Sequence, residues 1–83
     1  MSNSIVRTPD QLGAAIRRQR KLKSLTQAQL GEKTHLRQAT ISALENGEAG
    51  IQLKTLTDVL AALNLELVVR ERTTYARDIE DLF

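Results

Sequence analysis

Eighty-three residues make one domain at most, near the lower limit for a self-sufficient core. With 41% hydrophobic residues but one Phe, one Tyr and no Trp, that core has to come from Leu, Ile, Val and Ala, which suits small helices packed on each other. There is no cysteine, which excludes a disulfide framework, thiolate zinc sites and thiol chemistry, and the net charge is only +2.

The start of the chain, MSNSIVRTPD, lacks a basic region followed by an apolar stretch. No secretion signal is expected there, no apolar run is long enough to span a bilayer, and the cytoplasm is the expected location. Ile5 and Val6 carry no helix signal; they suit a short strand or a loose cover on the core. Thr8-Pro9-Asp10 reads as a helix start, with Thr8 as cap, Pro9 at the first helical position and Asp10 at the positive helix end. Leu12, Ala15, Ile16 and Leu22 form the apolar stripe of this first helix. Its other face carries Arg17, Arg18, Lys21 and Lys23. A basic face is usually just solvated, and it also suits a phosphate backbone.

Lys23-Ser24-Leu25 breaks the pattern. Thr26 caps a second helix, with Gln29 three residues on completing a capping box. Ala28, Leu30 and Gly31 are its small or apolar positions, and it ends near Lys33. Thr34, His35 and Leu36 form a turn. A third helix runs from about Arg37 to Glu45 and stops at Asn46-Gly47. After a loop at Glu48, Ala49 and Gly50, a fourth helix spans about Leu53 to Leu63. Its Leu53, Leu56, Val59, Leu60 and Leu63 give the cleanest amphipathic pattern in the chain.

Beyond Asn64 the period changes to two. Leu65, Leu67 and Val69 alternate with Glu66, Val68 and Arg70, which reads as a strand. A lone strand leaves its backbone groups unbonded. The chain offers only Ile5-Val6 as an internal partner, so the simplest expectation is the same strand of a second subunit; a fifth short helix or an irregular tail is the alternative. Leu65, Leu67, Val68 and Val69 are the expected dimerisation residues. The tail, residues 73–83, spaces Tyr75, Ile79, Leu82 and Phe83 at a near-helical interval; a short docking helix and a frayed end both fit. The expected organisation is therefore a domain over 1–72 and a tail over 73–83.

Charge is unevenly placed. Residues 1–47 hold eight Lys or Arg against three Asp or Glu, whereas 73–83 hold one Arg against three acids. The basic front suggests a polyanion, although ordinary surface charge also gives such a balance.

Residues 11–63 resemble the Cro and phage-repressor type of helix-turn-helix domain, often called the Xre family. The matching positions are Arg20, Thr26-Gln27, Leu30, the small residue Gly31, Thr40-Ile41-Ser42, Glu45 and Gly47, followed by the leucine-rich LKTLTDVLAAL segment. The resemblance implies a mainly α fold: a lambda-repressor-like bundle of four helices, with the C-terminal strand forming an intersubunit two-stranded sheet. The directly following NLELVV segment, with QATIS in the third helix, is similar to HipB-like antitoxins.

In this family the third helix enters the major groove N-terminus first. That implies DNA-binding roles for Gln27, Arg37, Gln38, Ala39, Thr40, Ser42 and Asn46. Arg37 suits guanine and Gln38 adenine, Ala39 or Thr40 a thymine methyl group, and Ser42 either base type; Gln27 and Asn46 match phosphate contacts. Arg20 and Glu45 match a structural ion pair. His35 stands where the family usually has glycine, and Arg37 where it usually has a Ser or Thr cap. The implied function is a homodimeric repressor of its own operon at an inverted-repeat operator, and an antitoxin that binds a HipA-like serine/threonine kinase toxin. The alternatives are a stand-alone phage-type or restriction-modification controller regulator, and a protein-interaction module that binds no DNA. Scattered acids, no nucleophile–base pair and a single His argue against an enzyme, a metal site or a cofactor.

Overall fold

Four helices occupy the described part of the chain, residues 4–72 of a computed structural model: α1 (Pro9–Leu22), α2 (Gln27–Thr34), α3 (Gln38–Glu45) and α4 (Leu53–Ala62). The first two begin as their side chains dictate. The Thr8 hydroxyl accepts from the Gln11 amide at 3.1 Å, and Pro9 opens α1. Thr26 and Gln29 form a reciprocal capping box: the Gln29 amide donates to the Thr26 hydroxyl at 3.0 Å, and the Thr26 amide donates to Gln29 Oε1 at 2.8 Å. The caps of α3 and α4, Arg37 and Gln52, make no such bond. Arg37 thus lies one residue outside the helix it was expected to begin.

All four helices end in one way. An amide five residues on bonds back into the last turn: Leu25 to the Arg20 carbonyl, Leu36 to Gly31, Glu48 to Ala43 and Leu65 to Leu60, at 2.8–3.1 Å. The residue before each of these amides takes the left-handed conformation: Ser24 (φ 57°), His35 (φ 59°), Gly47 (φ 76°) and Asn64 (φ 57°). This is the Schellman closure, which satisfies the terminal carbonyls and folds the next residue onto the helix. Leu25, Leu36 and Leu65 are those next residues, and each packs against the core. His35 therefore adopts the glycine conformation with a side chain attached.

The core is a cluster of Ile16, Leu30, Ile41, Leu44, Val59, Leu60 and Leu63, covered by Leu12, Leu56 and Ile51 among others. Packing joins α1 to α3, α2 to α3 and α2 to α4. Two glycines set the closest approaches. A Cβ on Gly13 would lie 2.6 Å from the Leu44 carbonyl oxygen and nearer still to that of Glu45, so α1 rests directly on the end of α3. A Cβ on Gly31 would lie 2.6 Å from the Leu36 carbonyl. Gly31 therefore makes room for the turn between α2 and α3.

Leu22 and Leu53 leave the stripes expected of them, at 72% and 69% exposed. At about 100° per residue, Leu22 lies roughly 80° round α1 from Leu12, past the face that α3 covers. Leu53 is the first residue of α4, at the edge of its stripe. Among the described residues there is no strand: 65–72 follow α4 without regular secondary structure, and Ile5 and Val6 lie exposed. The expected features of the tail, with Tyr75, Ile79, Leu82 and Phe83, fall outside the described residues.

Two substitutions test these constraints by urea unfolding. His35→Gly relieves a left-handed side chain and is expected to stabilise by about 0.5–1 kcal/mol. Gly13→Ala forces α1 off the α3 carbonyls and is expected to destabilise by roughly 1–3 kcal/mol. An unchanged midpoint for the alanine variant would refute the direct α1–α3 contact.

Candidate nucleic-acid interface

The start of α3 is exposed and polar. In this eight-residue helix, Ile41 and Leu44 are buried and hold one side to the core. Arg37, Gln38 and Ala39 consequently stand exposed at its N-terminal tip, while Thr40, Ser42 and Ala43 are half-buried along its flank. Asn46 is exposed at the other end, where its amide closes α3 onto the Ser42 carbonyl at 3.0 Å. The amides of Thr40 and Ile41 bond back to the Arg37 carbonyl. The preceding amides of the first turn point outward, as at any helix start, and give the tip a positive end. Arg37 adds its cation to that end rather than a capping oxygen.

Behind the tip lies a chain of polar contacts. Arg20 donates from Nε to Glu45 Oε2 at 2.6 Å and from Nη2 to Glu45 Oε1 at 2.9 Å, and its Nη1 donates to the Leu25 carbonyl at 2.7 Å. The two side chains are 8% and 3% exposed. Gln27 Nε2 donates to Glu45 Oε1 at 3.2 Å, and Gln38 Nε2 approaches Gln27 Oε1 at 3.5 Å, a long contact. These bonds link α1, the α1–α2 turn, α2 and both ends of α3.

The arrangement decides the charge state of Glu45. Burial works against its carboxylate. The hydrogen bonds from Arg20 and Gln27, with the positive charges of Arg20 and Arg17, outweigh burial and hold its pKa below the usual carboxylate value. The hydrogen bond to Glu45 holds the Arg20 guanidinium above its ordinary value, with burial pulling the other way. Among the described residues no buried side-chain nitrogen or oxygen lacks a partner, and no three His, Cys, Asp or Glu side chains cluster to hold a metal ion.

The structure brings Gln27, Arg37, Gln38 and Ala39 to one end of the α2–α3 unit, and leaves Asn46 at the far end of α3. The Gln27 side chain turns inward to Glu45 and Gln38, so the outward group at the start of α2 is its backbone. Sequence reasoning missed this link, as it missed Gly13. The Arg20–Glu45 pair is the one the resemblance implied, whereas the spacing of Gln27 and Gln38 carries no sign that they join it. The dimerisation candidates divide: Leu65 packs on the core, whereas Leu67, Val68 and Val69 are 54%, 68% and 99% exposed.

Comparison with known proteins gives this geometry its context. A helix-turn-helix family model matches residues 16–69. "Putative antitoxin HigA2" of Mycobacterium tuberculosis (strain ATCC 25618 / H37Rv) is 40% identical over 58 residues, 69% of this chain and 57% of that protein, so the match spans little more than half of that relative. Among solved structures, a HipB variant in an O2 20mer complex superposes with a TM-score of 0.80 at 32% identity, over 87% of this chain and all of that one. A HipA-HipB-O2-O3 complex contains a chain that matches with a TM-score of 0.78 at 30% identity, over 86% of this chain and all of that one. A restriction-modification controller protein, at 23% identity and a TM-score of 0.64, shares the fold. No helix among the described residues is long and apolar enough to cross a membrane.

The ion pair sets an acid-dependent stability. The folded pKa of Glu45 is lowered, so its contribution is fully present above the unfolded value of about 4.3 and is lost as pH falls through the folded value. Glu45→Ala leaves Arg20 buried and unpaired and is expected to remove about 3–5 kcal/mol near neutrality, whereas Arg20→Met/Glu45→Leu restores most of it. Urea midpoints measured from pH 7 to 3 check both statements. A wild-type advantage over Glu45→Gln that persists undiminished at pH 3 would contradict the assignment.

Proposed function

This chain belongs to the helix-turn-helix family, and we propose that it is a homodimeric, sequence-specific DNA-binding repressor, the antitoxin of a toxin–antitoxin pair that represses its own operon. The observation that carries this reading is the tip of α3. Three exposed residues stand on a positive helix end, held from behind by a buried ion pair. Such a tip fits the major groove N-terminus first. Arg37 reads guanine, Gln38 reads adenine through its paired donor and acceptor, and Ala39 with Thr40 meets a thymine methyl group. Ser42 takes part from the flank. The backbone amide of Gln27 and the side chain of Asn46 hold phosphates and fix the register.

Two heads act as one unit. The exposed run Leu67, Val68 and Val69 follows directly on the anchored Leu65, and an apolar segment of this kind pairs with its copy as a two-stranded intersubunit sheet. That places two recognition helices about 34 Å apart, on successive turns of an inverted repeat. The similarity to HipB, including a chain in a complex with HipA, supports a HipA-like serine/threonine kinase as the toxin. Such a protein works in the cytoplasm, acts without cofactor or metal, and carries out no catalysis of its own.

Three measurements test the reading. A duplex selected from a random pool is compared with a random duplex of the same length. Gln38→Ala is expected to weaken the selected duplex roughly ten-fold or more and the random one little, as lost base contacts do; equal losses on both would remove Gln38 from base reading. Val68→Lys/Val69→Lys is expected to shift the sedimentation mass from dimer to monomer, and an unchanged dimer would reject the sheet. Co-expression with the neighbouring gene product is expected to yield a stable complex, whereas a chain that purifies alone in every case would point to a stand-alone regulator.

A further inference from the structure

The basic face of α1 is not uniform, and its division carries a further inference. Gly13 rests on the carbonyls of Leu44 and Glu45, and Arg20, two turns on, grips the Glu45 carboxylate. Gly13 and Arg20 therefore define the line along which α1 meets the end of α3. Arg17 lies between them and Lys21 beyond, about 40° and 80° round the helix from Gly13 on its solvent side. Both are exposed. The charge of Arg17 acts on the Glu45 carboxylate, in keeping with its place on the side of α1 that borders the end of α3. Arg18, about 140° round, points elsewhere and donates to the Ser4 hydroxyl at 3.1 Å. Lys23 is the C-cap, beyond the last residue of α1.

We propose that Arg17 and Lys21 form a phosphate-binding row that continues the DNA contact from Asn46 and the start of α2 along α1. The inference rests on the DNA-binding reading above and adds two residues to it. The two are about 6 Å apart along the helix, and neither makes a hydrogen bond or salt bridge among the described residues. Contacts of this kind carry no sequence information; they deepen affinity and its dependence on salt. The loop after α3 offers no comparable charge, since residues 47–52 hold Glu48 and no Lys or Arg. The phosphates beside the end of α3 are therefore left to α1.

The test measures binding of the full-length protein to the selected and to the random duplex over a range of salt. Arg17→Gln/Lys21→Gln is expected to lessen the slope of log K against log salt by about 0.9 per lost contact. Near 0.15 M salt that is roughly a five-fold loss per contact, equal on both duplexes. Arg18→Gln is expected to leave the slope unchanged. Thermal melting of the free protein separates this role from a structural one, because Arg17 also faces the negative end of α3. A lowered melting temperature with the slope intact overturns the proposal, and so does an equal change from Arg18→Gln. If the unaltered protein binds no duplex at low salt, the DNA-binding reading falls and this inference with it. If Gln38→Ala weakens the selected duplex alone while the double variant keeps the full slope, only this inference falls.

Discussion

A single buried ion pair fixes where the exposed tip of α3 stands. Arg20 uses all three guanidinium nitrogens, two on Glu45 and one on the Leu25 carbonyl. A carboxylate at the last residue of a helix works against the helix dipole. Glu45 is tolerated there because the charge of Arg20 and the amide of Gln27 lie against it. A pair this well bonded adds little stability over an apolar substitute, yet removing one partner strands the other. What it supplies is position. The two carboxylate oxygens hold α1, the α1–α2 turn and α2 against the end of α3, and the tip of α3 is thereby aimed.

The turns provide the second constraint. Four helices of eight to fourteen residues cannot pack unless the chain reverses sharply between them. It does so at all three junctions, and closes α4 likewise, by one device, a left-handed residue and a backward amide bond. Only one of the four left-handed positions is glycine, so Ser24, His35 and Asn64 hold their conformation against a steric preference. Leucine after three of them explains why they do: Leu25, Leu36 and Leu65 are drawn into the core, and the burial of each offsets the strain. At Gly31 and Gly13 the opposite need rules, since backbone must pass where a Cβ would be.

A core of seven buried residues is small, and its edges are open. Leu65 joins it, but the three apolar residues of the following run do not, which is the expected state of a surface that needs a second chain. The charged surface is divided as sharply. One side of α1 faces the end of α3, and another binds back to the N-terminal segment through Arg18 and Ser4. The exposed polar tip of α3 and the exposed apolar run after α4 thus lie in different places on the helical unit.

The order and bounds of the helices were legible in the sequence, because they follow from local chemistry: Thr8-Pro9, the Thr26 and Gln29 box, Asn46-Gly47 and the leucine spacing of α4. The inward set of α3 was legible too, since Ile41 and Leu44 differ by nearly one turn. Leu22 and Leu53 show the limit. Periodicity gives a stripe, but only the neighbouring helix decides how wide a stripe is covered. The resemblance implied the Arg20–Glu45 pair, but that Gln27 and Gln38 join it was beyond a local reading, because residues 18 and 11 positions apart meet only after α2 and α3 have packed. The sequence by itself determined which segments are helical and which side chains are free to read. Tertiary structure decided that the reading tip is braced by a buried charge pair, and that Arg17 and Arg18, neighbours in the chain, face different surroundings.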